Sequence, residues 1–423
     1  MSWTKEQKSV VIAAYLGWTL DAFDFFLMVF VLKDIAAEFE TTVPAVALAI
    51  TFTLALRPIG ALIFGWVADR FGRRPTLMIN IVCYSVLELL SGFSPNLATL
   101  IVLRALFGVA MGGEWGVGSA LTMESVPARS RGFVSGLLQA GYPSGYLLAS
   151  LVFGVLYPYV GWRGMFFIGV LPALLVLFMR THVPESPAWA ATQRGPRIGL
   201  VASLRQSWKL SIYAIALMTA FNFFAHGTQD LYPTFLREQH HFAPHTVSLI
   251  VIVLNVGALI GGLSSGVLSE RFGRRWTIFW AALIALPVLP LWAFSSDPML
   301  LAAGAFLMQL SVQGAWGVIP AHLNEISPSS IRATFPGLVY QLGNLLASVN
   351  APLQSAIAVQ HANNYGYALA LVTGSVAVTI AVLILFSREN RGVDMSAAAT
   401  IAPSAGTSAE TPAVSHSFQN TQP

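Results

Sequence analysis

Long apolar runs alternate with short polar joints along most of the chain. The runs fall near residues 10–32, 44–68, 75–94, 97–120, 132–157 and 162–181. They resume near 209–236, 244–268, 276–295, 298–320, 332–358 and 363–387. Each has roughly the 20 residues that a helix needs to cross the hydrocarbon core of a bilayer. The pattern predicts an all-α membrane protein with twelve transmembrane helices. The first run does not read as a cleaved signal, because Asp21 and Asp24 interrupt it. A polar, basic stretch divides the runs into six and six. The expected organisation is a six-helix bundle over residues 1–181, a cytoplasmic linker over 182–208 and a second six-helix bundle over 209–394. The Ala/Ser/Thr/Pro-rich end, residues 395–423, reads as a disordered tail.

Composition agrees with the pattern. Of 423 residues, 55% are hydrophobic and only 10% charged, against about 25% charged in a soluble domain. A soluble enzyme, a DNA-binding module and a disordered scaffold are excluded. The net charge of +4 is informative through its placement. The N-terminus, the even-numbered connections and the C-terminal side carry nearly all the Lys and Arg outside the runs. The opposite side has only Lys33, Arg163 and Arg237. Cytoplasmic loops hold such an excess, so both termini are expected in the cytoplasm. Short termini and the lack of an organelle signal point to a bacterial inner membrane. The lone Cys83 leaves no disulfide partner and no thiolate metal site.

An internal repeat sets the architecture. The stretch Gly65-Trp66-Val67-Ala68-Asp69-Arg70-Phe71-Gly72-Arg73-Arg74 recurs 201 residues later as Gly266-Val267-Leu268-Ser269-Glu270-Arg271-Phe272-Gly273-Arg274-Arg275. The same offset carries Glu124 and Arg131 onto Glu325 and Arg332, and Gly136 onto Gly337. Two parallel six-helix repeats, with substrate bound at mid-membrane between them, are a transporter design. The repeated loop resembles that of the major facilitator superfamily, and Pro184-Glu185-Ser186-Pro187 resembles an element of its sugar and organic-acid porters. The resemblance implies two pseudo-symmetric bundles, a functional monomer and no cofactor. Asp69 and Glu270 end helices, and Arg73, Arg74, Arg274 and Arg275 are expected to reach acids nearby. Glu124 and Glu185 are the candidates in the first half, Glu325 and Glu389 in the second. Such pairs would gate the cytoplasmic side.

Ionisable groups inside spans are costly and by default functional. Arg57 sits mid-run in Leu56-Arg57-Pro58, either paired with Asp21 or Asp24 or free for an anion. A guanidinium grips a carboxylate bidentately, which suits an organic acid. Arg104 invites a structural or a coupling role, and Glu88 and Glu114 favour a structural one. Asn222, His226 and Asp230 follow each other at intervals of four and share one helix face, with Gln229 beside them. Asn222-Phe223-Phe224-Ala225-His226-Gly227-Thr228-Gln229-Asp230 resembles the seventh-helix motif of fungal lactate/pyruvate–proton permeases, which group with bacterial sialate–proton symporters. Ala225 stands where that motif has a hydroxyl residue. Gln341 lies in a stretch similar to the same permeases.

By that resemblance Arg57, Asn222, His226, Gln229, Asp230 and Gln341 are needed for transport. The chemistry is consistent: a lone monocarboxylate entering an inside-negative cell works against about 2.3 kcal/mol per 100 mV, and a co-transported proton cancels that cost. Asp230, with His226 as partner, is the expected proton carrier, and Asp21 and Asp24 are the second candidates. The expected function is proton-coupled symport of a lactate- or pyruvate-like acid. Sialate or another sugar acid is the alternative, and a drug–proton antiporter fits less well because Ala140-Gly141-Tyr142-Pro143-Ser144-Gly145 lacks the exporter pattern. A membrane enzyme would need a nucleophile–base pair or metal cluster in the spans, and a nutrient sensor a long signalling extension. His240, His241 and His245 read as a solvated loop, and His322 as structural.

Overall fold

The computed structural model describes residues 3–193 and 199–395. Twelve helical segments follow the predicted runs. The first six are α1 (Lys5–Phe30), α2 (Val43–Phe71), α3 (Arg73–Gly92), α4 (Leu97–Ser125), α5 (Arg131–Ile168) and α6 (Ala173–His182). The second six are α7 (Trp208–Gln229), α8 (Pro244–Phe272), α9 (Arg274–Ala293), α10 (Pro298–Trp316), α11 (Thr334–Ala347) and α12 (Tyr365–Leu385). Helices satisfy every backbone group internally, which lipid demands. Side chains finish the ends: Thr4 and Gln7 cap α1 reciprocally, and Asp297 accepts from the amides of Met299 and Leu300.

Ten helical stretches among the described residues are long and apolar enough to cross a bilayer. The sixth and eleventh predicted runs are each broken. Gly161, at φ 63°, bends α5, and a turn ahead of Pro172 separates Ile168 from α6. The eleventh run divides into α11 and Asn350–Gln360 at a turn over Ser348 and Val349. The stretch between the halves holds two short helices, Pro187–Thr192 and Leu200–Gln206. Met395 is docked and 1% exposed; the rest of the expected tail, from 396, lies outside the described residues, as do 194–198 of the linker.

Ile59, Ile63, Trp66, Val155, Ile252 and Trp280 face outward and exposed, as a lipid-facing belt requires. Inside, Phe107, Tyr84 and Leu121 anchor the first half, and Phe221, Phe224 and Trp292 the second. The repeated loops form matching turns. Gly72 (φ 116°) and Gly273 (φ 90°) reverse the chain between α2 and α3 and between α8 and α9, a conformation that only glycine adopts cheaply.

The halves meet along a seam near the face that carries the basic loops and both described ends. There α5 lies against α8 and α2 against α11. Gly132 and Gly136 of α5 abut the backbone at Gly266 and Gly262 of α8, and Gly116 of α4 abuts Gly337 of α11. Small residues let helix backbones approach this closely. A Cβ on Gly136 would strike the Gly262 carbonyl. Gly136→Val should therefore disfavour the closed seam by about 1–3 kcal/mol. With Cys83 replaced by Ser, a cysteine introduced as Ser119→Cys, at a fully buried seam position, reports the opening. Its alkylation from the basic face should quicken at least about fivefold; an unchanged rate would show that the glycine contact does not set the closure.

Candidate substrate and gating site

The two arginines within the spans have different surroundings. Arg104 on α4 is bound to Glu88 of α3, bonds Ser91 Oγ at 3.2 Å and stacks 4.1 Å from the centre of the Phe107 ring. Its charge is spent inside the first half. Arg57 on α2 is 3% exposed, yet its contacts are the Met111 sulfur at 2.6 Å and the Phe25 ring at 5.2 Å. Its Nε has no partner, and no carboxylate of the described residues forms an ion pair with it. The pairing with Asp21 or Asp24 that the sequence left open is therefore not made. Gly108 and Gly112 bring the α4 backbone against Thr53 and Arg57, which fixes the guanidinium in depth.

The opposite wall comes from α7 and α11. His226 Nδ1 lies 3.2 Å from an Asp230 carboxylate oxygen, and Nε2 lies 3.0 Å from Asn344 Oδ1. The four-residue spacing has thus become a contact. The two side chains are 39% and 41% exposed although they sit among helices, so they line a water-accessible vestibule. Arg57 is close enough to act electrostatically on His226, and Tyr142 lies in the fields of both Arg57 and Asp230. The vestibule therefore has a cation on one half and an acid–imidazole pair on the other.

Between them stands an aromatic group in which sequence reasoning missed Tyr340 and Trp115. Tyr340 packs 4.8 Å from Trp115 and 5.6 Å from Trp316, and Trp18 packs 5.6 Å from Tyr142. Tyr340 and Trp115 look like any other rings in an apolar run, so only the spatial arrangement reveals them. The indole N–H groups of Trp18 and Trp115 are buried and have no acceptor, and Gln341 Oε1 has no donor. Asn222 donates to Met218 O of its own helix at 2.8 Å. Gln229 turns towards α10, donating to Gln309 Oε1 at 2.9 Å, and Gln309 donates to Thr228 Oγ1 at 2.9 Å. In this conformation both amides are occupied within the second half. The His240, His241 and His245 loop forms no metal-holding group, and among the described residues no such group is found.

At the basic face the arginines of the repeat stay within their own halves. Arg73 binds Glu124 through two bonds of 3.1 Å and Asp69 at 2.9 Å. Arg274 binds Glu325 through two bonds of 3.0 Å and Glu270 at 3.0 Å. Glu185 and Glu389 differ from expectation: neither makes an ion pair with a loop guanidinium. Glu185 accepts the backbone N–H groups of Arg73 at 3.0 Å and Arg74 at 3.2 Å. Glu389 accepts those of Arg274 at 3.1 Å and Arg275 at 2.9 Å. The glycine turns expose the first amides of α3 and α9, and a carboxylate is the natural cap for that positive helix end. Burial lifts the Glu185 carboxyl above the usual range, against the pull of these amides. Arg74 and Arg275 spend their guanidiniums on the carbonyls of Arg180 and Leu385.

What crosses the seam is the acid of each loop. Asp69 accepts from the amides of Ala333 and Thr334 at 3.0 Å each and from Thr334 Oγ1 at 2.6 Å, capping α11. Glu270 accepts from Gly132 N at the start of α5. Arg131 approaches Glu325 at 3.8 Å and Arg332 approaches Glu124 at 3.7 Å, so each repeat-related arginine reaches the other half. The same terminal nitrogens donate to the carbonyls of Val393 at 2.7 Å and Met395 at 3.0 Å.

The Major Facilitator Superfamily model matches residues 14–229 and 215–405. A carboxylic acid transporter protein homolog of Saccharomyces cerevisiae is 26% identical over 90% of the chain and 68% of its own length. A probable 4-methylmuconolactone transporter of Cupriavidus pinatubonensis is 30% identical over 81% and 82%. The sialic acid transporter NanX of Escherichia coli is 29% identical over 91% and 95%. Among solved structures, a proton:xylose symporter aligns with a TM-score of 0.74 over 92% of this chain and 97% of that one, at 20% identity, which supports the fold.

Asp69→Asn removes the charge that caps α11 across the seam. We expect a cost of about 1–2 kcal/mol to the closed basic face. Alkylation of the same introduced cysteine should rise several-fold, whereas Arg74→Gln, whose bonds stay within one half, should leave it unchanged.

Proposed function

The chain belongs to the Major Facilitator Superfamily, and we propose that it carries a small monocarboxylate, of lactate or pyruvate type, together with a proton by alternating access. The observation that carries this reading is Arg57: a guanidinium buried to 3% exposure with no carboxylate partner. A buried cation is strongly destabilising when left uncompensated, and an anionic substrate completes it. The partnerless indole donors of Trp18 and Trp115 extend the same demand for an acceptor. Relatives named for carboxylic acid, muconolactone and sialic acid transport support an organic acid as the cargo class.

In this reading the basic face is cytoplasmic, the membrane is the inner membrane of a bacterium, and the monomer is the working unit. The closed seam and the exposed His226–Asp230 pair make the structure an outward-facing one. A proton is taken up where Asp230 and His226 meet the vestibule, while the substrate carboxylate is held by Arg57. Tyr142 and Gln341 stand where they could orient a 2-hydroxy or 2-keto oxygen, and rocking of the halves would free Asn222 and Gln229 to join them. Inward opening must break the Asp69 and Glu270 caps and the two long arginine contacts. Asp21, in the field of Arg57, and Asp24, in that of Arg104, form a second set of acids on the first half.

Counterflow of labelled pyruvate in proteoliposomes, with competing acids of increasing size up to sialate, tests the substrate. Arg57→Gln should weaken carboxylate binding by roughly 10- to 100-fold, the value of one or two charge-assisted hydrogen bonds. Undiminished counterflow in that variant would overturn the assignment. Asp230→Asn should retain counterflow and lose accumulation driven by a pH gradient; normal accumulation would take Asp230 out of the proton path.

A further inference from the structure

α7 and α11 are both interrupted, and a side chain beyond one break reaches the other. α7 stops at Gln229, and the chain turns at Asp230 and Leu231 before helix resumes at Tyr232. α11 stops at Ala347 and resumes at Asn350. A helix leaves its last carbonyls without amides of its own, and inside an apolar bundle each needs a partner. The Asp230 amide answers the His226 carbonyl at 3.0 Å. The next carbonyl, that of Gly227, accepts from the side-chain amide of Gln354 at 2.8 Å. Gln354 lies on the outer segment of α11 and is fully buried.

Gln354 is itself oriented. Asn350, one turn before it and 1% exposed, donates to Gln354 Oε1 at 3.4 Å, which turns the Gln354 N–H towards Gly227. A Cβ on Gly227 would stand 3.4 Å from the Gln354 nitrogen and 3.5 Å from Asn350 Oδ1, so both amides close on one point of α7. The inner segment of α11 holds the preceding residue, since Asn344 Oδ1 lies 3.0 Å from His226 Nε2. Consecutive residues of α7 are thus gripped from both sides of the α11 break. The charged groups facing His226 are Asp230 on its own helix and Arg57 on α2, and Tyr142 of α5 faces Asp230. Among the described residues Gln354 forms no hydrogen bond with any of them.

We propose that Gln354 is a positioning residue: by holding the Gly227 carbonyl it sets the direction in which α7 ends, and so keeps the Asp230 carboxylate against His226. The proposal rests on the reading of His226 and Asp230 as the proton-uptake pair and adds the group that shapes it. Asp230 sits at the break itself, where no following turn of helix fixes its backbone. Its 3.2 Å contact with His226 therefore depends on what fixes the last turn of α7. A buried carbonyl stripped of its donor is costly, so the end of α7 and the outer segment of α11 travel together when the vestibule changes shape.

Diethyl pyrocarbonate, which acylates neutral imidazole, reads the pair without any transport. The purified full chain is exposed briefly at a series of pH values, and mass spectrometry of the His226 peptide gives the pH midpoint of its reactivity. Asp230→Asn supplies the midpoint of the histidine without its acid, which should differ from the wild type. Gln354→Met, similar in shape but lacking the N–H, should move the midpoint towards that of Asp230→Asn by at least about 0.5 in pH. It should move nothing further in the Asp230→Asn background. Gln354→Glu, whose buried carboxyl keeps its proton and can donate it, should restore the wild-type midpoint. A wild-type midpoint in Gln354→Met or in Asp230→Asn overturns the proposal, as does a Gln354→Glu displaced as far as Gln354→Met. If Gln354→Met yields no folded protein, Asn350→Leu, which frees the amide to turn, takes its place, and an unmoved midpoint there is equally fatal. Normal pH-driven accumulation by Asp230→Asn would remove the proton-uptake reading, while a displaced midpoint in Gln354→Met would still establish the positioning.

Discussion

A charge inside an apolar bundle has to be answered by another charge, a proton or a ligand, and that constraint governs the first half. Arg104 is met by Glu88. Asp24, in the field of Arg104, and Glu114 form no ion pair among the described residues, and their free oxygens have no hydrogen-bond donor. Arg57 is left over, facing a vestibule whose other wall is the His226–Asp230 pair. In the proposed reading its remaining partner is the carboxylate that arrives from outside.

The two halves repeat a sequence without repeating a job. Away from the basic face the first holds the buried charges, while the second contributes the exposed pair and an amide network running through Gln229, Gln309 and Thr228. At the basic face the repeat is kept almost atom for atom. Arg73 and Arg274 brace their own halves, and Asp69 and Glu270 each cap the first turn of a helix in the other. This division means that a half can move as a body: its arginine–glutamate braces stay intact while the crossing caps are exchanged.

Much of this was legible in the sequence, for identifiable reasons. Run length and the 201-residue repeat set the helices, since lipid admits few other structures. The broken sixth and eleventh spans were not legible, because a two- to four-residue turn hardly changes the hydropathy of a run. His226 and Asp230 were readable from their spacing along one helix. The difference between Arg57 and Arg104 was not, because each is a lone arginine in an apolar segment and its partner comes from another helix. Glu185 and Glu389 were correctly singled out as acids near the loops. Their partners proved to be backbone amides, which no side-chain pattern advertises. Tyr142, Tyr340 and Trp115 carried no signal beyond being aromatic.

The glycine-lined seam has a consequence for the energetics of the transport cycle. Where Gly132, Gly136 and Gly116 meet Gly266, Gly262 and Gly337, few side chains interlock, so parting the surfaces wets little hydrocarbon. The heat-capacity change of that step should be correspondingly small. The crossing contacts include the two carboxylate caps and the two arginine–glutamate approaches, beside neutral bonds from Asn324 to Ser119 and from the Ala321 amide to Ser135. Turnover should therefore respond more sharply to ionic strength at the basic face than the size of the moving bodies would suggest.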